Sequence, residues 1–248
     1  GKPEFGGIDH WGLALVVILV TLGLKFFTRG LISTAAVLIG LVVGYLVAIP
    51  LGVLAAWKAG SIIDRVTMVI AVLGFSVPVF VIGYILMYIF AIELKWFPVQ
   101  GYVPIEKGFL PFLRSITLPS LALALLYTAL IARITRASVL EVLEEDYIRT
   151  ARAKGQTETR VLISHALKNA AVPIVTVIGL GVALLIGGVV ITESVYNIPG
   201  LGRLVVDAIL KRDYPIIQGL ILMFSFVYIL INLMIDILYT LVDPRIRY

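Results

Sequence analysis

The sequence of 248 residues contains no cysteine, only two histidines and few charged residues, which make up 14% of the total. Without cysteine the chain forms no disulfide, has no thiolate nucleophile and binds no metal through sulfur. His10 and His165 have no carboxylates at ligand spacing, so we expect no metal site. A nucleophile with an adjacent base and the phosphate-binding pattern G-x-x-x-x-G-K-[ST] are both missing. The sequence therefore predicts that this chain is not an enzyme and hydrolyses no nucleotide.

Long apolar runs account for most of the chain. Hydrophobic residues make up 60% of it, and its mean hydropathy is +1.07. A helix of about 18 such residues crosses the hydrocarbon core of a bilayer, and it pairs its backbone polar groups internally. Five uncharged runs are long enough: Leu31–Trp57, Val66–Ile92, Ser115–Ala132, Asn169–Thr192 and Tyr214–Ile235. With Trp11–Leu24 as a shorter sixth candidate, the sequence predicts an all-α, polytopic transmembrane bundle of about six spans. We expect no cleavable signal peptide, because Gly1–His10 is not a basic leader.

One charged stretch, Glu141–Lys168, interrupts the apolar sequence, and we call it the polar island. When the island is placed in the cytoplasm, twelve of the twenty Lys and Arg residues fall on the cytoplasmic side. This agrees with the excess of basic residues in cytoplasmic loops of membrane proteins. The net charge of +5 is explained in the same way, so we do not expect nucleic acid as a partner. The predicted location is the cytoplasmic, or inner, membrane of a cell.

The polar island itself has the pattern of two short helices joined by a glycine turn. Ser138 and Glu141 have capping-box spacing, which predicts a helix that begins there, and Gly155 would end it as a left-handed C-cap. Thr157 can cap a second helix that runs towards Pro173. Apolar residues recur at helical spacing in the first helix: Val142, Leu143, Tyr147, Ile148 and Ala151. An ordinary interfacial linker is the alternative, but a simple connection needs only a few residues.

Four motifs, in order along about Tyr45–Tyr248, resemble the permeases of ABC importers, in particular the branch that imports dipeptides, oligopeptides and nickel. They are Ile49–Ala56, then Thr150–Gly155 with His165–Ala170 and Pro173, then Glu193–Gly202, and finally Asp243–Arg247. Arg149, Thr150 and Ala151 stand where the wider superfamily has Glu-Ala-Ala, a departure that is usual in the peptide branch.

The resemblance implies that the polar island is a cytoplasmic coupling loop that docks on an ATPase subunit. The residues implied in docking are Glu145, Asp146, Tyr147, Arg149, Thr150, Ala151, Arg152, Ala153, Lys154, Gly155 and His165. ATP and Mg²⁺ would be bound by that partner, so this chain would need no cofactor of its own. The other implied partners are a second, homologous permease subunit, an extracytoplasmic solute-binding protein and membrane lipid. The cargo stays open between dipeptides, longer peptides, nickel chelates and compounds like glutathione.

The first 44 residues do not follow this pattern and are taken as a separate segment from residues 45–248. Members of the peptide branch usually have a large extracytoplasmic segment before their first long helix, whereas only Lys25–Gly30 lies there. Asp9–Leu15 and the run that follows look like late helices of nucleobase:cation symporters. A truncated, rearranged or artificially composed chain is one explanation. The alternative function is a secondary active transporter that needs no ATPase, but such carriers use intramembrane carboxylates, and only Asp236 is available.

Three polar residues in or beside the spans are candidates for a pathway or gate: Glu193, Asn232 and Asp236. Asn232 and Asp236 lie one turn apart, so they share a helix face, but hydrogen bonding between helices or solvation at the interface is the simpler role for Asp236.

Other residues are expected to shape the bundle. Arg133 and Arg136 are expected to reach the inner interface with their long side chains. Three prolines are expected to break or bend helices: Pro50, Pro78 and Pro173. Four glycines offer a close-packing surface, either to a second permease or within the chain: Gly179, Gly181, Gly187 and Gly188.

Overall fold

The structure, a computed structural model, describes the backbone of residues 31–242 and the side chains of residues 39–179, 181 and 189–237. Over this range the chain is helical with short connections, and no strand occurs in it. The predicted all-α fold is therefore confirmed.

Several predictions concern residues outside this range. They are those for the span Trp11–Leu24, the symporter-like segment, His10, Asp243–Arg247, the signal peptide and close packing at Gly187 and Gly188. The division at residues 44 and 45 stays a prediction and falls inside the first helix.

Nine α-helices follow one another along the described backbone. They are α1 (Leu31–Trp57), α2 (Ile62–Ser76), α3 (Val79–Leu86), α4 (Phe109–Leu143), α5 (Asp146–Ala153), α6 (Glu158–Arg160), α7 (Ala171–Tyr196), α8 (Leu201–Leu210) and α9 (Tyr214–Val242). Helices α3 and α6 continue into π-helical segments, Met87–Glu93 and Val161–Leu167 respectively, and a 3-10 turn at Ile105–Lys107 precedes α4.

Helix α4 is the centre of the bundle and contacts α1, α2, α3 and α7. Its buried residues include Leu118, Leu123, Tyr127 and Ile131, which form one apolar core with parts of α1, α3 and α7. Helix α1 packs tightly against α4 at Gly52, where a Cβ atom would lie 2.6 Å from Thr135 Cβ. Dispersion contacts between closely packed helices replace the hydrophobic driving force that is missing in lipid. Apolar side chains on the outside of α2 and α9 remain exposed, as expected of surfaces that face lipid.

Several helices are long and apolar enough to cross a membrane. Three meet this test as single helices: Ile39–Trp57, Phe109–Leu143 and Tyr214–Ile237. Two bent pairs meet it together: α2 with α3 and its π-helical extension, and α6 and its extension with the start of α7. The second pair overlaps the fourth predicted run only at Ala171–Gly179, and the rest of that run lies in α7. Several apolar helices thus follow the order of the predicted runs, and the predicted polytopic bundle is confirmed.

The second predicted span, Val66–Ile92, is not one continuous helix. It divides at Val77 and Pro78, and the helix axis bends by 103° between the two parts. Proline lacks the N–H group that would continue the helix, and it forces the preceding residue out of the helical region. Val77 accordingly has extended backbone, with φ −87° and ψ 124°. Pro173 lies in the first turn of α7, next to a second bend of 55°.

Two of the four glycines proposed for close packing do have neighbours within this chain. A Cβ atom at Gly179 would lie 2.9 Å from Ile235 Cγ1 of α9, and one at Gly181 would lie 3.2 Å from Tyr127 Cε1 of α4. The close packing expected at these two positions is therefore intramolecular.

Candidate functional site

The polar island begins later than the sequence pattern predicts. Ser138 is buried in the interior of α4, which continues unbroken to Leu143, so the predicted helix start at Ser138 is wrong. An N-cap needs non-helical backbone, whereas burial of the neighbouring Val139 against other helices keeps this part of the chain helical. Two of the apolar residues assigned to the island helix, Val142 and Leu143, consequently belong to α4. The first island helix is α5, which begins at Asp146.

Gly155 ends α5 with the geometry that the sequence predicts. Its φ is +78°, in the left-handed region that favours glycine. The N–H of Gly155 donates to the carbonyl of Arg152 at 2.9 Å, and the N–H of Gln156 donates to the carbonyl of Ala151 at 3.3 Å. These two bonds form a Schellman motif, which satisfies carbonyls that the helix end would leave unpaired. The predicted left-handed cap is confirmed.

An ion pair holds the two island helices together across this turn. Arg152 Nε donates to Glu158 Oε1 at 2.9 Å, and Arg152 Nη2 donates to Glu158 Oε2 at 3.2 Å. Thr157 occupies the N-cap position of α6, as predicted, although its side chain makes no capping hydrogen bond. The turn therefore has a defined shape set by backbone hydrogen bonds and a two-point ion pair.

A small apolar cluster fixes the end of the island to the membrane helices. Val139 of α4, Ala56 of α1, and Ala166, Ala170 and Ile174 near the end of the island form one buried cluster. We call it the anchor cluster. Because it joins three segments at the same end of the bundle, a displacement of the island must move the ends of α1 and α4.

Helix α5 packs on the segment of the island that leads to this cluster. Ile148 is the one buried residue of α5, and α5 packs on the π-helical segment Val161–Leu167. Apart from the half-buried Ala151, the other residues of α5 are exposed.

The residues predicted to contact a partner form the outer surface of the island. Those with exposed side chains or backbone are Glu145, Asp146, Tyr147, Arg149, Thr150, Arg152, Ala153, Lys154 and Gly155. Ala151 and His165 are half-buried.

This surface mixes acidic and basic groups with one aromatic ring. Arg149 Nη1 donates to Asp146 Oδ1 at 3.0 Å, while Tyr147 is 43% exposed. Partial burial raises the pKa of the Tyr147 phenol, a hydrogen bond with Asn169 acts in the opposite direction, and the nearby Glu145 carboxylate raises it further. The exposed outer side of the island thus presents acidic, basic and aromatic groups side by side.

Glu193, a candidate for the pathway, is buried at the end of α7 and is 2% exposed. Its Oε2 accepts a hydrogen bond from the backbone N–H of Arg203 at 2.8 Å, in the first turn of α8. A negative charge at a helix N-terminus is stabilised by the unpaired N–H groups and by the helix dipole. The carboxylate therefore caps α8 from a neighbouring helix.

The motif around Glu193 also joins α7 to its neighbours. Asn197 ends α7 with a φ of +55°, and the Tyr196 hydroxyl donates to the carbonyl of Gly83 in α3 at 3.1 Å. The N–H of Gly101 donates to the carbonyl of Tyr196 at 2.9 Å. Thus the stretch from Glu193 to Gly202 connects α7, α3, α8 and the loop before α4.

Asn232 and Asp236 are not brought together with Glu193. Asn232 Nδ2 donates to the carbonyl of Tyr228 in its own helix at 3.0 Å, and Asp236 is exposed. Ile235, the neighbour of Asp236, packs against Gly179 of α7. Gly179 and Glu193 are 14 residues apart in α7, which is about 21 Å along a helix. Among the described side chains, no group of three or more His, Cys, Asp or Glu could hold a metal ion.

Sequence reasoning missed a buried ion pair at the start of α2. Asp64 is 4% exposed and binds the guanidinium of Arg136, whose Nη2 donates to Asp64 Oδ2 at 2.7 Å. Arg136 thus has a specific partner that the sequence pattern did not predict, whereas Arg133 is exposed. A signal was present: Ser61 and Asp64 have the spacing of a helix start, and Ser61 Oγ accepts from the Asp64 N–H at 3.4 Å.

Comparison with known proteins places the described helices in a family. Residues 48–248 match the family described as the inner membrane component of binding-protein-dependent transport systems. A probable peptide ABC transporter permease protein, y4tP, from Sinorhizobium fredii strain NGR234 is 58% identical over 202 residues, which is 82% of this chain and 64% of that protein. The glutathione transport system permease protein GsiC of Escherichia coli strain K12 is 47% identical over 197 residues, or 79% of this chain and 62% of GsiC. The chain therefore spans less than two thirds of the length of these relatives.

The fold also resembles a solved structure. A chain of the MetNI methionine ABC transporter, in an inward-facing conformation, superposes with a TM-score of 0.70 and 17% sequence identity. The match covers 90% of this chain and 98% of that chain. At this identity the likeness concerns the fold alone.

Proposed function

Because the chain belongs to the family of inner membrane components of binding-protein-dependent transport systems, we propose that it is a transmembrane permease subunit of an ABC importer. It forms part of the path by which peptides cross the membrane, and ATP hydrolysis on separate subunits drives the transport. The observation that carries this proposal is the polar island, which is exposed on its outside and fixed to α1 and α4 on its inside.

Peptides are the proposed cargo because relatives at 58% and 47% identity are named for peptide and glutathione transport, and glutathione is itself a small peptide. Nickel, the other cargo considered from the sequence, has no comparable support. A wide, permissive path suits this cargo, since selection would take place on the solute-binding protein that delivers it.

The proposed partners follow from the same assignment. Cytoplasmic ATPase subunits bind the surface formed by Glu145–Gly155 and hold ATP and Mg²⁺, while a second permease subunit completes the path. An extracytoplasmic binding protein delivers the cargo. Since the anchor cluster joins the island to α1 and α4, closure of the ATPases shifts both helices together.

A secondary transporter without an ATPase is the alternative, and the described helices give it little support. Ion-coupled carriers place carboxylates near the middle of the membrane. Asp236 is exposed towards one end of α9, Asp64 is paired with Arg136, and Glu193 caps α8.

Site-specific cross-linking tests the proposal, and an introduced thiol is unique within these 248 residues because they contain no cysteine. We expect Lys154→Cys, on the exposed turn beside Gly155, to cross-link to a co-expressed ATPase subunit and to react with a membrane-impermeant thiol reagent only in inside-out vesicles. Lys107→Cys, exposed in the loop before α4, is the matched control and should react only from the outside. Labelling of Lys154→Cys from outside the cell, or cross-linking to the ATPase at Lys107→Cys alone, would refute the proposal.

A further inference from the structure

The carboxylate of Asp64 is held by two other parts of the protein. Arg136 of α4 binds both carboxylate oxygens, with Nε bound to Oδ1 and Nη2 donating to Oδ2 at 2.7 Å. The backbone N–H of Gly60, in the turn between α1 and α2, also donates to Oδ2 at 2.8 Å. A guanidinium that binds a carboxylate at two points fixes orientation as well as distance. The start of α2 is therefore held to α4 and to the turn that precedes α2.

This ion pair lies next to the anchor cluster of the polar island. Arg136 is three residues before Val139, and residues three apart are neighbours on a helix surface. Val139 is fully buried against Ala56, Ala166 and Ala170, the last two of which lie near the end of the island. A force applied to the island consequently reaches the turn of α4 that carries Arg136.

Beyond the pair, α2 is held by few buried residues. Asp64 and Ala71 are its buried residues, and the outer face carries exposed apolar side chains such as Val69 and Leu73. At its far end α2 meets α3 at 103°, and the Gly83 carbonyl of α3 accepts from the Tyr196 hydroxyl of α7. The pair α2–α3 thus connects the island end of the bundle to the opposite end of α7.

We propose that Asp64 and Arg136 are positioning residues whose ion pair carries movement of the polar island from α4 into α2 and α3. This inference rests on the proposed function, because it concerns how ATP hydrolysis on a partner is coupled to the transport path. The ion pair adds to the apolar contacts between α2 and α4 a two-point bond that fixes their relative orientation, so α2 moves with α4.

The test uses the complete importer in proteoliposomes and measures ATP hydrolysed per peptide transported. The central variant is Asp64→Leu/Arg136→Met, because replacing a buried ion pair by apolar side chains of similar volume often preserves folding. We expect it to assemble and hydrolyse ATP, with the amount of ATP used per peptide raised about five- to tenfold, at the low end of typical coupling between sites. The exchanged pair Asp64→Arg/Arg136→Asp should recover part of this loss.

Arg133→Gln is the matched control. Arg133 lies on α4 one turn before Arg136 and is exposed, so its replacement should leave the ratio of ATP to peptide unchanged. The unfolding temperature of each purified complex is measured in parallel, so that a change in the ratio of ATP to peptide can be told apart from a loss of stability.

The outcomes separate this inference from the function on which it rests. If Asp64→Leu/Arg136→Met unfolds at a lower temperature but uses the same ATP per peptide as the wild type, the pair is only structural and the inference is overturned. A wild-type chain that recruits no ATPase would overturn the proposed function, and this inference with it. A raised ratio at an unchanged unfolding temperature supports the inference.

Discussion

Glu193 and Gly200 lie so close together that any Cβ atom at position 200 would overlap the Glu193 carboxylate. The backbone of Gly200 has φ −108° and ψ −177°, which other residues adopt readily. Glycine is therefore required here by the close approach of a side chain and not by backbone conformation. The bare backbone lets the carboxylate reach the first turn of α8, where it accepts from the Arg203 N–H.

Gly200→Ala is expected to lower the free energy of unfolding by about 1–3 kcal/mol, the usual cost of overpacking a well-packed site. The added methyl group would push the carboxylate off the α8 terminus. Thermal unfolding of the detergent-purified protein measures the effect.

A double-mutant cycle provides the control for Gly200→Ala. In a Glu193→Ala background the methyl group has room, so the second substitution should cost much less than in the wild type, with a coupling of roughly 0.5–3 kcal/mol. Additive costs would show that Glu193 does not occupy the space above Gly200.

Gly155→Val should uncouple ATP hydrolysis from peptide uptake while the protein stays in the membrane. No atom lies within 4 Å of a Cβ built at this position, so the penalty comes from the φ of +78° alone. For a residue with a side chain that conformation costs about 1–2 kcal/mol. Uptake and ATPase activity, measured together in proteoliposomes, test the prediction.

Gly155→Asn is the matched variant, because asparagine tolerates the left-handed region better than other residues with a side chain. It should retain more coupled transport than Gly155→Val. Equal loss in both variants would indicate that the partner needs a bare backbone at this position, and the explanation by conformation would then be wrong.

Glu158→Gln tests the ion pair across the island turn. The two side chains are 40% and 44% exposed, so water screens their attraction, and such pairs contribute about 0.2–1 kcal/mol. We expect the unfolding temperature to change little and the small difference to vanish at high salt. A large, salt-independent loss of stability would mean that Glu158 has a further role in folding.

The sequence pattern predicted the apolar spans and the glycine turn well, because both depend on local chemistry. Span length follows from the bilayer, and a left-handed C-cap follows from glycine at the end of an amphipathic run. Gly155 illustrates this, since its conformation is set by its own turn.

Features that depend on distant contacts were not predictable in the same way. Ser138 has the spacing of a capping box with Glu141. However, its neighbour Val139 is buried in the anchor cluster, and α4 continues through Ser138 to Leu143. Arg136 reaches Asp64, 72 residues earlier in the chain, and nothing in the local pattern of α4 indicates that partner. Pro78 gave a signal for a bend, but the angle of 103° depends on how α2 and α3 pack on α4 and α7.

Gly179 and Ile235 provide the last test, which asks whether the glycines of α7 pack within the chain or between subunits. A Cβ atom at position 179 would lie 2.9 Å from Ile235 Cγ1 and would overlap the tip of that side chain. Gly179→Ala should therefore lower the free energy of unfolding by about 1–3 kcal/mol, and should do so much less in an Ile235→Ala background. Thermal unfolding of the isolated chain and dissociation of the permease pair are measured side by side. A change in dissociation with no change in unfolding of the isolated chain would assign Gly179 to a surface between subunits, because an intramolecular contact must act on the single chain first.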